Sequence, residues 1–270
     1  MQAFLRQHFH DWRDEIPGPW AEIFDQTHAN FEAVDPGIPA PQDVFPRLRR
    51  DNPGGTRYLL RAFAGLAPAD VRVIVIGQDP YRSAVRATGR AFEDGAVAQV
   101  EETTSPSLRR LFQAAAADVL EWEDIAQTDA GWNAIRQQFT LPSMSEMFDG
   151  LTSQGVIFLN AAWTFTGEEP EQLRVNLRLW RPVMRQVVRH LILDDPNRVV
   201  LALGAKARDL FNSRCPRPPH FVYHCHPQKR AFAWFQPPNP LTCVNNHLTG
   251  FQQETICWLP GLGSLWPPAN

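Results

Sequence analysis

The stretch VRVIVIGQDPYRSAVRATGRAF (residues 71–92) decides the fold predicted for this chain. Its first seven residues are almost wholly apolar and β-branched, which is typical of a strand buried on both faces. The strand stops at Gly77, and the polar segment 78–81 follows at once with an acid and a tyrosine. We therefore expect a buried strand that directs polar groups toward whatever lies beyond its carboxyl end.

Three more short apolar segments occur along the chain, and helical patterns alternate with them. The predicted strands are residues 71–77, 155–160, 198–204 and 220–227. The predicted helices are residues 107–120, 180–193 with Pro182 in the first turn, 205–211 and 245–258. This alternation predicts an α/β fold in a single domain, with a central short parallel sheet flanked by helices on both faces.

Composition limits the class of protein. A chain of 270 residues with 44% hydrophobic residues can bury one large core. It has no apolar stretch of membrane-spanning length, and its charged N-terminus is unlike a signal peptide, so we expect a cytoplasmic protein without membrane contact. Four cysteines without a CxxC pair favour reduced thiols over disulfides.

Charge alone leaves a nucleic-acid partner open. The net charge is −3, and 24 of the 26 basic residues are arginines, with lysine only at Lys206 and Lys229. Arginine suits contacts with phosphate, but a GC-rich genome would produce the same bias.

Ligands of parallel α/β sheets bind beyond the carboxyl ends of the strands. The four predicted ends carry residues 78–81, Asn160, residues 204–206 and residues 224–226. Asp79 is the only acid among them, and the last segment offers both His224 and His226. These side chains are the candidate site.

At these ends the chain resembles the family 1 uracil-DNA glycosylases, from about residue 36 to Trp258. The matching motifs occur in order: PAPQDVFPRL (39–48), GQDPY (77–81) with the A-x-G-x-A-F spacing at 87–92, SPSLRRLF (105–112), GVIFLN (155–160) and HP (226–227). The resemblance implies a three-layer sandwich and a monofunctional DNA glycosylase that cleaves the N-glycosidic bond of a flipped pyrimidine. It implies single- or double-stranded DNA as the partner, a monomer, and no metal or other cofactor.

Cleavage of an N-glycosidic bond needs a carboxylate near the sugar, a donor for the departing base and a slot for that base. Asp79 suits the first role, and the Asn160 amide can pair with the edge of a pyrimidine. The resemblance adds Gln78, Tyr81 against C5 and Phe92 stacked on the base.

The histidine that donates to the leaving base is chosen by the resemblance. His224 and His226 would share one face of the predicted strand, with Cys225 pointing the other way. The proline after His226 matches the family's His-Pro pair, so we select His226 and keep His224 as the reserve. A metal site from these three residues is not expected, because neighbouring strand positions do not converge.

Contacts with the DNA backbone are expected from the motif serines and from residues that replace missing ones. The residues assigned to them are Ser105, Ser107, Ala205, Lys206, Lys229 and Arg230. In place of the family's leucine wedge, which the loop HPQKRAFAWF lacks, Phe232 or Trp234 could enter the duplex.

Arg82 and the segment 83–85 also depart from the family's His and Gly-Pro-Gly. Three functions stay open: excision of uracil in repair, excision of a bulky modified cytosine from phage DNA, and a DNA-binding module without catalysis.

For the domain boundaries, we expect a helical part over 1–65, a catalytic core over 66–258 and a tail over 259–270. Residues 121–150 are expected as an inserted excursion, and residues 234–242 as a surface loop.

Overall fold

The fold is built on a short parallel sheet. The computed structural model describes residues 1–25, 27–120, 129–212, 215–228 and 234–260. The strands are β1 (Val73–Gly77), β2 (Val156–Asn160), β3 (Val199–Leu203) and β4 (Phe221–His224). They lie in the order β2-β1-β3-β4, all parallel. The four predicted strands are thereby confirmed, with shorter bounds, and β4 has half of its predicted length because it ends at His224.

Helices cover both faces of this sheet. They are α1 (Gln2–Phe9), α2 (Ala21–Asp25), α3 (Pro106–Leu120), α4 (Asp129–Gln138), α5 (Met144–Ser153), α6 (Pro170–Asp194), α7 (Ala205–Arg208) and α8 (Pro240–Gly250). Short 3-10 turns fill much of residues 12–70. Within the described ranges, no helix is long and apolar enough to cross a membrane.

Alternate residues of the strands pack into two separate apolar clusters. Ile74 and Ile76 of β1 face the N-terminal region and α6, where Trp180 lies fully buried. Val73 and Val75 face the opposite cluster, which α3, α5 and α8 complete. Side chains of a strand alternate between the faces of its sheet, so a strand buried on both faces needs apolar residues throughout. The predicted α/β single domain with three layers is confirmed.

The prediction for α6 is wrong at its beginning. The helix begins at Pro170 rather than at residue 180, and Pro182 lies in its interior. Pro170 occupies the first turn, where no helical partner for its missing amide is needed. Trp180 before Pro182 and Val183 after it are both fully buried, so the apolar stripe continues past the proline and packing outweighs the lost hydrogen bond.

The prediction for the last helix is shifted by several residues. The side chain of Asn239 caps α8 by accepting a hydrogen bond from the Leu241 amide at 2.9 Å, and the helix ends at Gly250. Residues 253–257 have no regular structure. Asn245 holds this return segment through two bonds with the backbone of Ile256, at 2.8 and 3.1 Å. The predicted loop over 234–242 therefore contains the start of α8.

The predicted excursion over 121–150 is partly described. It holds α4 and most of α5, whereas Trp122 lies outside the described residues. Trp132 is buried, and its ring stacks on that of Phe112 at 6.2 Å between centroids.

Candidate active site

A cavity of about 320 Å³ opens beyond the carboxyl ends of β1 and β2. Most of the site residues predicted from the sequence line it. The lining residues are Gln78, Asp79, Pro80, Tyr81, Arg82, Arg86, Phe92, Thr104, Ser105, Pro106, Ser107, Asn160, His226 and Gln228. A flipped pyrimidine nucleotide is a ligand of suitable size for this space.

Gly77 and Asn160 end their strands level with each other in the sheet register. A Cβ atom on Gly77 would lie 2.8 Å from Asn160 Oδ1 and 3.1 Å from the Phe92 ring. Such distances are shorter than contacts between carbon and its neighbours allow. The glycine therefore lets the amide of Asn160 and the ring of Phe92 converge on one point.

Asp79 follows Gln78 directly after the end of β1. It lines the cavity and is largely shielded from solvent. Its Oδ1 atom accepts a hydrogen bond from Gln78 Nε2 at 3.1 Å. Burial raises the pKa of the Asp79 carboxyl, while the Gln78 bond and the Arg82 charge act in the opposite direction. A carboxylate with a raised pKa is a better proton acceptor than an ordinary surface aspartate.

Tyr81 forms one wall of the cavity. Its hydroxyl lies 3.2 Å from the Phe92 carbonyl oxygen and 3.1 Å from Ser105 Oγ, both of which can accept its hydrogen. Burial raises the pKa of Tyr81 to about 12, so the hydroxyl stays protonated. The guanidinium of Arg86 lies over the face of the Tyr81 ring, 4.4 Å from its centroid.

Phe92 lies at the back of the cavity, almost fully buried. Its φ angle is +68°, a left-handed conformation that is unusual for a large residue. Its ring centroid is 6.1 Å from that of His226, with 34° between the planes. The two rings therefore lie on neighbouring sides of the same space.

His226 lies beyond the end of β4, in the loop that faces β3. Gly204 has φ +100°, and a Cβ atom there would lie 2.9 Å from His226 Cβ, so glycine is required for both reasons. The Gln228 amide donates a hydrogen bond to His226 Nδ1 at 3.1 Å. Burial lowers the pKa of His226 to about 4. A neutral imidazole that accepts at Nδ1 carries its hydrogen on Nε2.

His224 and His226 do not share a strand face, because β4 ends at His224. That expectation was wrong. His224 instead packs edge-to-face on Trp234, with centroids 4.9 Å apart, and does not line the cavity. Trp234 is itself buried, and its Nε1 atom donates to the Arg110 carbonyl at 3.1 Å. The prediction of Trp234 as a wedge is therefore wrong, and Phe232 lies outside the described residues.

The residues expected at the DNA backbone divide into three groups. Ser105 and Ser107 line the cavity, with their Oγ atoms 3.0 Å apart. Ala205 and Lys206 begin α7 outside the cavity lining, and Ala205 is exposed. Lys229 and Arg230 lie outside the described residues.

Sequence reasoning missed Arg86 and Gln228 as parts of the cavity wall. Gln228 acts through its backbone amide, which no side-chain motif reveals. Arg86 pairs with Asp94 at 2.6 Å. The signal for Arg86 in the sequence was the presence of an aspartate eight residues later, which could pair with it.

The cavity thus combines a partly buried carboxylate, a buried amide, a neutral imidazole donor and an aromatic face. Such a set can orient a water molecule, pair with a planar base and stabilise negative charge on that base as it leaves. Within the part of the chain that the structure describes, no three His, Cys, Asp or Glu side chains are grouped to hold a metal ion.

Comparison with known proteins gives concordant results. The family model of the Uracil DNA glycosylase superfamily matches residues 64–253. The uracil-DNA glycosylase of Parafrankia sp. (strain EAN1pec) is 30% identical over 218 residues, 78% of this chain and 85% of that protein. The uracil-DNA glycosylase of Mycobacteroides abscessus is 28% identical over 247 residues, 89% of this chain and 97% of that protein.

A solved structure supports the fold independently. The wild-type UNG crystal structure from Nitratifractor salsuginis has a TM-score of 0.60 and 24% identity, and the match covers 93% of each chain. The family match spans well over half of the present chain. The chain therefore belongs to the uracil DNA glycosylase superfamily and is a DNA glycosylase.

Proposed function

We propose that this protein excises uracil from DNA, leaving an abasic site as the first step of base-excision repair. The observation that carries the proposal is the convergence of Asp79, Asn160, His226 and Phe92 on one cavity of pyrimidine size. The names of the related proteins support uracil as the base.

In the proposed reaction, water attacks C1′ of the sugar while the bond from C1′ to the base breaks. The bonding electron pair leaves with the base, and the sugar acquires oxocarbenium character. Asp79 stabilises that positive charge and takes up the proton from water, for which its raised pKa suits it. Asp79 supplies both effects from a partly buried position in the cavity.

His226 stabilises the departing base. Its Nε2 hydrogen donates to the O2 atom of uracil as negative charge grows there. A neutral donor suits this role because it keeps its proton and needs no charge in a buried site. The low pKa of His226 keeps the ring neutral across the whole physiological range.

Asn160 and Tyr81 select the base. The Asn160 amide can donate to O4 and accept from N3–H of uracil, a pattern that cytosine does not offer. We propose that Tyr81, held at its hydroxyl by the Phe92 carbonyl or Ser105, lies against C5 of the bound base and excludes a methyl group there.

Excision of a bulky modified cytosine is the second candidate. It derives from the altered segment 82–85, and it requires a cavity that is open toward C5. Arg82 forms an ion pair with Glu168 at 3.2 Å, and both side chains are well exposed, so its guanidinium is not built into a buried wall. This arrangement, with Tyr81 held in place, favours uracil. A module without catalysis is disfavoured by the complete set of reactive groups.

Contacts with the DNA backbone are proposed for Ser105, Ser107 and Ala205, and for the basic residues Lys206, Lys229 and Arg230. We further propose that the protein acts as a monomer in the cytoplasm. One chain supplies every group of the cavity, and four free cysteines suit a reducing compartment.

The test is single-turnover base release from matched oligonucleotides that carry uracil, thymine, cytosine, hydroxymethylcytosine or its glucosylated form. Release of uracil alone is expected. Asp79→Asn should bind the same DNA but lower the rate by roughly two orders of magnitude or more, because a positioned proton acceptor is lost. Release of the glucosylated base without uracil would contradict the proposal and support the defence function.

A further inference from the structure

The segment from Arg86 to Asp94 contains an ion pair that touches the base-selecting wall. Asp94 is buried, and its Oδ2 atom accepts from both Arg86 Nε at 3.0 Å and Arg86 Nη2 at 2.6 Å. The other oxygen of Asp94 accepts from the Ala96 amide at 3.1 Å. A carboxylate held by three donors in the interior is a fixed anchor for the guanidinium.

The anchored guanidinium lies flat against one residue of the cavity. Its carbon atom is 4.4 Å from the centroid of the Tyr81 ring, and Arg86 itself lines the cavity. Arginine stacks on aromatic faces more effectively than lysine because its charge is planar and weakly hydrated. The Tyr81 ring is therefore supported on its face as well as at its hydroxyl.

The two supports restrain different motions. The hydroxyl has one hydrogen and can donate it either to the Phe92 carbonyl or to Ser105, at 3.2 or 3.1 Å. Bonds at Oη hold the tip of the ring but let its plane rotate or tilt about that tip. The guanidinium on the face opposes this tilt, which is the motion that would make room at C5.

We propose that Arg86, anchored by Asp94, is a positioning residue that determines base specificity by holding the Tyr81 ring. The inference rests on the proposed function, since it concerns how thymine is refused where uracil is accepted. It assigns to this ion pair a role in selectivity rather than in the chemical step.

The test compares two arginines of the same segment. Arg86→Lys keeps a positive charge for Asp94 but removes the planar group from Tyr81. Arg90→Lys is the matched control, because Arg90 is also buried and pairs with Asp149 at 2.6 Å, but among the described residues it is Arg86 and not Arg90 that lies over the Tyr81 ring. For each, kcat/KM is measured for uracil and for thymine in the same oligonucleotide.

In Arg86→Lys, the ratio of thymine to uracil kcat/KM should rise at least about tenfold, the size of effect that one methyl group produces in a pocket. In Arg90→Lys the ratio should stay within about twofold of wild type. An unchanged ratio in folded Arg86→Lys, or an equal rise in both variants, would overturn the inference. If Arg86→Lys does not fold, Arg86→Gln with Asp94→Asn replaces the ion pair by neutral partners and is measured in the same way.

A second readout does not depend on activity. The chain has three tyrosines, so 3-fluorotyrosine labelling gives a simple ¹⁹F NMR spectrum in which Tyr81→Phe identifies the Tyr81 signal. Arg86→Lys should shift or broaden that signal, and Arg90→Lys should leave it unchanged. A Tyr81 signal indifferent to Arg86→Lys would contradict the positioning role even if no uracil were released. Absence of uracil release by wild type would instead contradict the proposed function.

Discussion

The two halves of the sheet hold their functional residues in different ways. The base half, defined as the ends of β1 and β2 with residues 77–81, Phe92 and Asn160, grows out of strands that are buried throughout. The rim half, defined as the ends of β3 and β4 with residues 204–206 and 226–228, includes the half-buried edge strand β4 and the four-residue helix α7. The base half is packed on both faces of the sheet, whereas the rim half includes an edge strand that is only partly covered.

The difference explains where the sequence can change. Groups that act on a base must be placed within tenths of an ångström, and close packing around Gly77 provides that precision. Groups that meet DNA phosphates need charge and reach more than fixed geometry. The departures from the family at Ala205 and Gln228 fall in the rim half, those at residues 82–85 directly follow the base half, and Asp79 and Asn160 within the base half match the family.

Replacement of His226 tests the comparison of the two halves most strongly, because His226 lies in the rim half yet faces the base. His226→Ala should lower the single-turnover rate of uracil release by about two orders of magnitude, since it removes a donor aimed at developing charge. His224→Ala is the matched control, because His224 packs on Trp234 instead. A larger loss of rate in His224→Ala than in His226→Ala would show that His224, and not His226, is the donor.

Gly77→Ala sharpens the claim that the base half depends on close packing. The added methyl would lie 2.8 Å from Asn160 Oδ1 and must displace it or Phe92. Overpacking of this kind costs about 1–3 kcal/mol, and we expect uracil release to slow by about tenfold. Gly250→Ala is the control, because nothing lies within 4 Å of its added Cβ. Equal rates in the two variants would contradict the packing argument.

Lys206→Ala should produce the smallest effect, on affinity rather than chemistry. Loss of one phosphate contact should flatten the slope of log affinity against log salt by about one unit, and Lys206→Arg should restore it. The base preference should stay unchanged, because phosphate contacts carry no sequence information. An unaltered slope would show that other residues of the rim half contact the DNA phosphates.

The strand pattern predicted Asp79 and Asn160 in the base half, whereas Gln78, Tyr81 and Phe92 were assigned by the resemblance. Continuous apolar segments predict buried parallel strands, and parallel strands bring their carboxyl ends together, so Asp79 and Asn160 could be expected to meet. The choice of His226 depended on the resemblance, and its confinement behind Gly204 became visible only in three dimensions.

Long-range contacts were beyond sequence reasoning. Trp234 lies in a proline-rich stretch that suggests a surface loop, but its ring fills a space between α3 and His224. The pairing of Arg86 with Asp94 depends on how the segment between them folds back. The early start of α6 depends on burial against the N-terminal region, which local propensity around Pro182 does not express.

The central claim is that a carboxylate at Asp79 and a neutral imidazole at His226 line the same cavity. The most direct test is the pH dependence of single-turnover uracil release, in wild type and in His226→Ala. The reactive form needs a deprotonated Asp79 carboxylate and a neutral His226 imidazole, which carries its hydrogen on Nε2. Burial raises the pKa of Asp79 above its ordinary 3.8 and lowers that of His226 to about 4. His226 therefore stays neutral through the pH range in which an ordinary histidine titrates.

The account predicts the same pH dependence near pH 6.5 in both proteins, with His226→Ala lower in rate at every pH. It predicts no inflection that belongs to His226 near 6.5, the ordinary pKa of histidine. An inflection near pH 6.5 that disappears in His226→Ala would show a histidine that titrates normally, and would contradict the claim.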